Sequence, residues 1–425
     1  MKLASYWTDT TTRFEGLDPA GLDARADVVV IGAGFTGLSA ALALARRGAK
    51  VVVLEAGLVA SEASGRNGGH CNNGLPYDFG SVARQLGVEQ ARDLYHAYDS
   101  AVDSVERVVR EEGIDCDFRR NGKIKLAAKP HHFAKLEKAY ELLHRDVDPD
   151  TSLVGPEAIG SEVGSGQFYG GIVMHKSAQM HMGRFGAGLA AAAQRRGARI
   201  FENTAVAGLT RLSANAIRVK TEHGTVEAAQ VLVATGPSRH GPFGYFRRRI
   251  IPVGSFVVTT EPLSQQLAAS IMPGRRNATT TKNVGHYFRL TPDNRLVFGG
   301  RARFALSDPA SDAKSGAVLE RDMKKLFPQL RDIRIDYCWG GVVDMTADRL
   351  PRAGEARGLH YAMGYSGSGT QMSVYMGQHM ARAMDGDSAA NPLRGLPWRA
   401  IPGHLGPPWF LPLVGAYYRA LDWVS

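Results

Sequence analysis

The stretch that decides the fold is DVVVIGAGFTGLSAALALARRGAKVVVLE, residues 27–55. An apolar run, Val28 to Ile31, leads into Gly32-Ala33-Gly34-Phe35-Thr36-Gly37. Leu38, Ala41, Leu42 and Leu44 follow at helical spacing up to Gly48, and a second apolar run, Val51 to Leu54, is closed by Glu55. The order is strand, glycine turn, helix, strand, acid. In a dinucleotide-binding unit each part has a task. Gly32 permits the tight turn, Gly34 lets a pyrophosphate approach the backbone, Gly37 lets the helix pack on the strand, and the acid accepts from a ribose hydroxyl. The helix start adds unpaired N–H groups and the positive end of its dipole. Val28 to Ala45 carries no charge, so hydropathy alone would read it as a membrane span or a signal peptide. Three glycines at dinucleotide spacing argue against both, as does a leader containing Asp9, Glu15, Asp18 and Asp23 in place of a basic segment.

Outward from this unit, residues 60–74 carry glycines at 65, 68, 69 and 74 with Ser64, Arg66 and Asn67, a loop suited to lying against a ligand directly after the ribose-binding strand. Residues 85–145 read as helical around a strand from Lys123 to Ala127, with His131-His132 on the surface. Gly164-Ser165-Gly166 is not a second dinucleotide turn, because Gly170 is one residue late and a strand pattern follows. A single such site argues against a reductase holding both a flavin and a nicotinamide. Gly183 to Arg196 reads as a helix, and Gly197 to Phe201 as a further parallel strand. Ile217 to Lys220 with Thr225 to Glu227 reads as a hairpin, and Val231 to Gly236 as a buried strand. Residues 250–260, 284–290 and 295–304 form a second, antiparallel sheet. After a helix over 317–327, Tyr337 to Val343 and His360 to Met363 return to strands. Gly364-Tyr365-Ser366-Gly367-Ser368-Gly369-Thr370 then opens a helix running to Met384. The tail, 391–425, offers a short helix with Leu413, Tyr417, Leu421 and Val424 on one face, short and modest enough that docking on the body or on a second subunit is expected ahead of contact with a membrane surface. Tyr6 and Trp7 pin the leader onto the body.

The fold class is therefore α/β: a discontinuous doubly wound dinucleotide-binding domain with a second α+β domain on a mainly antiparallel sheet. The expected division is leader 1–25; cofactor domain 26–84, 176–240 and 336–390; substrate domain 85–175 and 241–335; tail 391–425. The chain has 425 residues, 44% hydrophobic and 22% charged, with net charge +10, but its basic residues are scattered. The one cluster, Arg247-Arg248-Arg249, comes with no nucleic-acid motif and reads as a solvated face or a subunit contact. A homo-oligomer is compatible with it. Three distant cysteines, Cys71, Cys116 and Cys338, without a C-x-x-C, suit a reducing cytoplasm and give no metal site.

Several motifs in order carry a resemblance: residues 28–37 with Glu55, ASGRNGGH at 63–70, ATG at 234–236, FGGR at 298–301, WGGVVDMTADRLP at 339–351 and GYSGSGT at 364–370. Together they resemble the FAD-dependent amine and amino-acid oxidases of the D-amino-acid oxidase and glycine oxidase superfamily. The SGRNGG loop and the Pro/Trp-rich tail are similar to its γ-glutamylputrescine oxidoreductase branch. The resemblance implies FAD lying extended across the first domain. Gly32, Gly34 and Gly37, with Phe35 and Thr36 of the same turn, would hold the pyrophosphate, and Glu55 the adenosine ribose. Ser64, Arg66 and Asn67, with Gly68 and Gly69, would line the phosphates and ribityl chain. Val206 would sit near the adenine, Thr235, Gly236 and Gly341 beside the cofactor, and Gly367, Ser368, Gly369 and Thr370 at the isoalloxazine. The FAD is expected to be non-covalent, with His70 the position for a link if one exists, since Cys338 lies outside the glycine turn.

The implied reaction is oxidation of an amine C–N bond by hydride transfer to flavin N5, with a γ-glutamylputrescine-like amine favoured and oxygen or an electron carrier as acceptor. The cofactor carries the redox chemistry, so no acid/base dyad is required. The pocket candidates are His70, Tyr287, Arg301, Trp339 and Tyr365. Arg301 either reaches a substrate carboxylate or pairs with Asp344 or Asp348, and Lys282 either assists oxygen or is solvated. The rival readings are a D-amino-acid or N-methyl amino-acid dehydrogenase, and a flavoprotein-fold binding module without turnover. GYSGS departs from a nucleophile elbow at its last position, which disfavours a serine hydrolase.

Overall fold

Strands that run between two covering layers must be apolar on both faces, and Val29, Val30, Val51, Val52 and Val53 are all buried. In the computed structural model, which describes residues 1–425 except 23, 239, 302–303, 405–407 and 425, they lie in the middle of an eight-stranded sheet. Its order is Arg352–Ala356, Leu359–Met363, Gly224–Val233, Arg25–Ile31, Val51–Leu54, Arg199–Phe201. The inner strands pair in parallel, Ile31 opposite both Leu54 and Val233. The strand expected at Gly197–Phe201 joins Val51–Leu54 in parallel. The hairpin expected near 217–227 is Ala216–Thr221 against Gly224–Val233, extended by Val206–Ser213. One face, with Val28, Val30, Val51 and Val53, packs on the helices Phe35–Ala45, Met182–Arg195 and Gly369–Met384. The opposite face, with Val29, Ile31, Val52 and Leu54, packs on Val206, Val219, Val226 and Phe243.

A second eight-stranded sheet runs Ile335–Met345, Ile251–Thr260, Leu296–Gly300, His286–Leu290, Asn277–Thr280, Lys123–Leu126, Gly171–Met174, Thr151–Val154. Only Asn277–Thr280 and Lys123–Leu126 pair in parallel among its described strands. The helix Pro309–Leu326 lies against it, burying Leu319 and Met323 with Phe288 and Phe298.

Four expectations need correction. Residues 336–345, assigned to the cofactor domain, are the edge strand of the second sheet, paired along Ile251–Thr260. The helix Val88–Glu112, assigned to the substrate domain, buries Leu94, Tyr98, Val102 and Val105 in the first core beside Leu38 and Met376. Periodicity shows that a helix has an apolar face, not which sheet receives it. His132 is buried, not on the surface, its Nδ1 2.7 Å from the Thr281 hydroxyl. In the tail helix Leu411–Val424 the expected stripe points outward, Leu413 being 67% exposed, and Leu411, Gly415 and Tyr418 make the docking face against Phe304. The leader behaves as expected: Tyr6 and Trp7 are buried, and the Trp7 indole donates to Asn67 O at 2.7 Å.

Candidate active site

Between the two sheets lies a cleft of about 970 Å³. The glycine turn forms one end. Gly32 has φ +104°, and a Cβ on Gly37 would fall 1.9 Å from the Gly32 carbonyl oxygen, so helix and strand touch as the spacing requires. The helix Phe35–Ala45 has no side-chain cap from Gly34, and Phe35 N donates to Ser64 Oγ at 3.0 Å. Glu55 closes its strand with its carboxylate accepting from Ala33 N at 2.7 Å and Gly57 N at 2.8 Å. Burial raises its pKa above the ordinary value, opposed by those two N–H groups. At the other end the helix Gly369–Met384 also starts without a side-chain cap, after Gly367 at φ +103° with open space beside it. The two helices cross where Gly377 meets Thr36 O, and the Tyr365 hydroxyl lies 2.8 Å from Thr36 Oγ1. Two positive helix ends thus face one cleft.

The sequence pattern of the DAO family, FAD dependent oxidoreductase, matches residues 27–383. This chain belongs to that family. It is 32% identical over 425 residues, 99% of this chain and 98% of the other, to gamma-glutamylputrescine oxidoreductase of Escherichia coli (strain K12). It is 32% identical over 393 residues, 90% and 88% of the two chains, to the probable oxidoreductase OrdL of Haemophilus influenzae (strain ATCC 51907 / DSM 11121 / KW20 / Rd). The fold matches that of glycine oxidase from Geobacillus kaustophilus, with TM-score 0.68 over 85% of this chain and 94% of the other at 24% identity. Like the rest of the DAO family, the protein is an FAD-dependent oxidoreductase, so the reading as a binding module without turnover is set aside. The cleft fits FAD on its own geometry. A glycine cradle and an uncapped helix start suit a pyrophosphate, a carboxylate ends the second strand, and a second uncapped helix start lies where an electron-rich ring would gain from N–H donors. No helix among the described residues is long and apolar enough to cross a membrane.

Most of the residues singled out from the sequence line this cleft: Gly32, Gly34, Phe35, Thr36, Glu55, Ser64, Arg66, Asn67, Gly68, Val206, Thr235, Gly236, Gly341 and 367–370, together with His70, Tyr287, Arg301 and Tyr365. Three do not. Gly37 packs beneath the turn. Gly69 (φ +78°) has its missing Cβ replaced by the Arg289 guanidinium, whose Nη2 lies 2.1 Å from where that Cβ would be. Trp339 is 0% exposed, and its indole donates to Arg66 O at 2.8 Å while its ring meets Trp7 edge-on. It is a strut behind the cofactor loop, not a pocket residue, because its ring is packed into the first core. Arg66 lines the cleft, but its guanidinium is turned to Gly340 O and lies 4.0 Å from Asp312.

At the end facing the second sheet, the Tyr287 hydroxyl lies 3.2 Å from Ser255 Oγ, and its ring is edge-on to His70 at 5.3 Å. Burial and the nearby charge of Arg289 push the His70 pKa down to about 3, so the ring is neutral at physiological pH. Arg301 does not pair with Asp344 or Asp348. Asp344 accepts from Gly364 N at 2.6 Å, Asp348 pairs with Arg352, and the hydrogen-bond partner of Arg301 among the described residues is Met345 Sδ at 3.9 Å. Sequence reasoning passed over Asp344 as a site residue. It is buried, its pKa is pushed up to about 6 by burial, and it staples the last strand of the second sheet to the Gly364 turn. Nothing in the spacing brings residue 344 to 364. Lys125 was missed too; it lines the cleft, its pKa lowered by burial.

His181 lies outside the cleft but titrates similarly. It caps the helix Met182–Arg195, and burial with the charges of Arg184 and Arg289 lowers its pKa to about 4. A histidine depressed in the folded state from an unfolded value of 6.5 binds fewer protons than the unfolded chain between those values. Its contribution is complete above pH 6.5 and is lost as pH falls toward 4, by up to ~1.4 kcal/mol per pH unit for one proton. Thermal melts from pH 8 to 4.5 are therefore expected to fall most steeply below pH 6.5, and His181→Gln to flatten that slope. An unchanged slope in the variant would show that other groups carry it.

Proposed function

We propose that this protein oxidises the C–N bond of an amine, a γ-glutamylputrescine-like amine being favoured. The observation that carries the reading is the cleft's second end, where Tyr287, a neutral His70 and Arg301 face the uncapped start of the Gly369–Met384 helix. The first sheet with its helices would carry FAD: Gly32, Gly34, Phe35 and Thr36 at the pyrophosphate, Glu55 at the ribose, Ser64, Asn67 and Gly68 along the chain, Val206 and Gly236 at the adenine side, and 367–370 at the ring. Bound FAD supplies the hydride acceptor. The protein's part is to orient the amine, exclude water and keep the nitrogen unprotonated. Lys125, Lys282, Arg301 and Arg349 line this end, and like charge with burial lowers an ammonium pKa. Tyr287 and Tyr365 offer aromatic walls. The favoured substrate rests on the likeness to the Escherichia coli enzyme along nearly the whole chain. A second reading, a D-amino-acid or N-methyl amino-acid dehydrogenase, is favoured by the unpaired Arg301, which suits a carboxylate next to the reacting carbon.

FAD would be held without a covalent bond, since Cys71, Cys116 and Cys338 are buried and His70 turns its Nε2 toward Phe288 O at 3.5 Å. The purified protein is expected to be yellow, to release its flavin on acid precipitation, and to bleach anaerobically with γ-glutamyl amines faster than with D-amino acids or sarcosine. Bleaching by amino acids alone would move the assignment to the second reading. Bleaching by none would remove amine oxidation altogether.

A further inference from the structure

The cleft's substrate end is unusually cationic. Lys125, Lys282, Arg301 and Arg349 all line it, and among the described residues no carboxylate forms an ion pair with any of them. Such a wall keeps an amine unprotonated but does not attract it, and a substrate gains binding from it only where another part of the molecule is anionic. Arg349 is the most deliberately placed of the four. It follows Asp348, yet Asp348 is spent on Arg352. Its backbone is left-handed, φ +58°, which is uncommon for a residue with a side chain. Its guanidinium sits between two aromatic rings from distant segments, 5.2 Å from the Tyr77 centroid and 6.0 Å from Tyr418, with Nη2 3.4 Å from the Tyr418 hydroxyl. Tyr418 belongs to the tail helix, and that helix is itself latched to Asn283, which lines the cleft, and to Val284. The Asp422 carboxylate accepts from Asn283 N at 2.8 Å, Asn283 Nδ2 at 2.9 Å and Val284 N at 2.7 Å. Tyr418 also stacks on Phe304 at 6.4 Å. Arg349 and Arg301 are near enough for the charge of one to depress the pKa of the other. Two unpaired guanidiniums held together repel each other, and an anion between them relieves that cost.

We infer that Arg349, held between Tyr77 and Tyr418, is a specificity-determining residue that receives a carboxylate on the non-reacting part of the amine substrate, and that the tail helix Leu411–Val424 forms the outer wall of that subsite. This rests on the amine-oxidase reading of the cleft and narrows it to amines with a carboxylate remote from the oxidised nitrogen. Without that carboxylate the amine brings no group that the Arg349 guanidinium can bind.

The test uses the FAD-loaded full-length protein in two arms. In the first, anaerobic flavin reduction is followed with γ-glutamylputrescine, with N-glutarylputrescine, which keeps the amide, the amine and a carboxylate but not the α-ammonium, and with N-butyrylputrescine, which lacks the carboxylate and the α-ammonium alike. Arg349→Met is expected to raise the half-saturating concentration of the two carboxylated amines about tenfold or more, the worth of one lost charge-assisted hydrogen bond, and that of the butyryl analogue far less. Arg349→Lys recovers part of the loss. Equal effects on the glutaryl and butyryl amines, or none, would overturn the inference. In the second arm glutarate is titrated and the flavin absorption band followed, with no turnover required. Saturable perturbation of the wild type, weakened about tenfold in Arg349→Met, supports the subsite. Equal affinity in both proteins, or no binding to the wild type, overturns it. If no amine reduces the flavin but glutarate still distinguishes the two proteins, the amine-oxidase reading fails and the anion subsite stands.

Discussion

Gly37→Ala is expected to yield a protein that no longer retains flavin. The added Cβ would lie 1.9 Å from the Gly32 carbonyl oxygen and 3.0 Å from Val30 Cγ1. Neither can retreat. Val30 and Ile31 are held on both sides by parallel strands, in register with Val53 and Leu54 and with Leu232 and Val233. The helix cannot back away either, because a Cβ at Gly377 of the crossing helix would already lie 2.5 Å from Thr36 O. The overlap must therefore open the turn itself, at a cost of about 1–3 kcal/mol or more, in the segment whose N–H groups must converge on a pyrophosphate. A loss of about 2 kcal/mol in cofactor binding is a fall of roughly thirtyfold in affinity. The flavin-to-protein absorbance ratio after gel filtration and titration of FAD into the apoprotein measure it. Gly48→Ala is the control: its φ is +86°, but nothing lies within 4 Å of the added atom. It should cost only about 1 kcal/mol of stability and leave the flavin in place. A Gly37→Ala protein with stoichiometric FAD would show that close helix–strand contact is not what this glycine provides.

How much of this was legible in the sequence depends on the range of the interaction. The strand–turn–helix unit, the parallel strand at 199–201, the hairpin before residue 233 and the helix after Gly369 are short-range features, written in periodicity and glycine placement, and the structure has them. The cleft's lining followed from the same motifs. What failed was partner choice. Trp339 lies in a glycine-rich motif beside the cofactor loop, but its ring is packed edge-on to Trp7 and its indole is taken by the Arg66 carbonyl. The Val88–Glu112 stripe chose the first core, and the tail helix turned Leu411, Val414 and Tyr418 inward, where Gly415 lets Phe304 approach. Asp344 and Arg349 gain their roles from contacts with residues 364 and 418, which no local pattern announces. Arg289 was missed for the same reason: in the sequence it is one basic residue in an alternating strand.

Replacing that arginine should produce the largest loss of stability among the single changes considered for the site. Arg289 is 1% exposed, and among the described residues no carboxylate pairs with it. Its donors go to carbonyls instead: Nε to Gly68 O at 2.9 Å, Nη2 to Met180 O at 2.9 Å, Nη1 to Gln179 Oε1 at 3.3 Å. It also lies 5.1 Å from the Trp7 ring centroid. Burial lowers its pKa to about 10, still high enough to keep it charged. The guanidinium thus ties the second sheet, through His286–Leu290, to the cofactor loop and to Gln179–Met180. Arg289→Met keeps most of the volume but strands the carbonyls of Gly68 and Met180, each costing about 1–3 kcal/mol unmet. The loss on denaturant unfolding should reach about 3–5 kcal/mol. Arg289→Lys, with a point charge in place of a planar fork, should fall between. The charge of Arg289 also holds down the pKa of His70, so a surviving Met variant should show the His70 pKa raised, read by NMR titration of the ring. A Met variant as stable as the wild type would mean that packing alone supports the loop. One that is destabilised with an unmoved His70 would mean that burial, without the charge, sets that histidine.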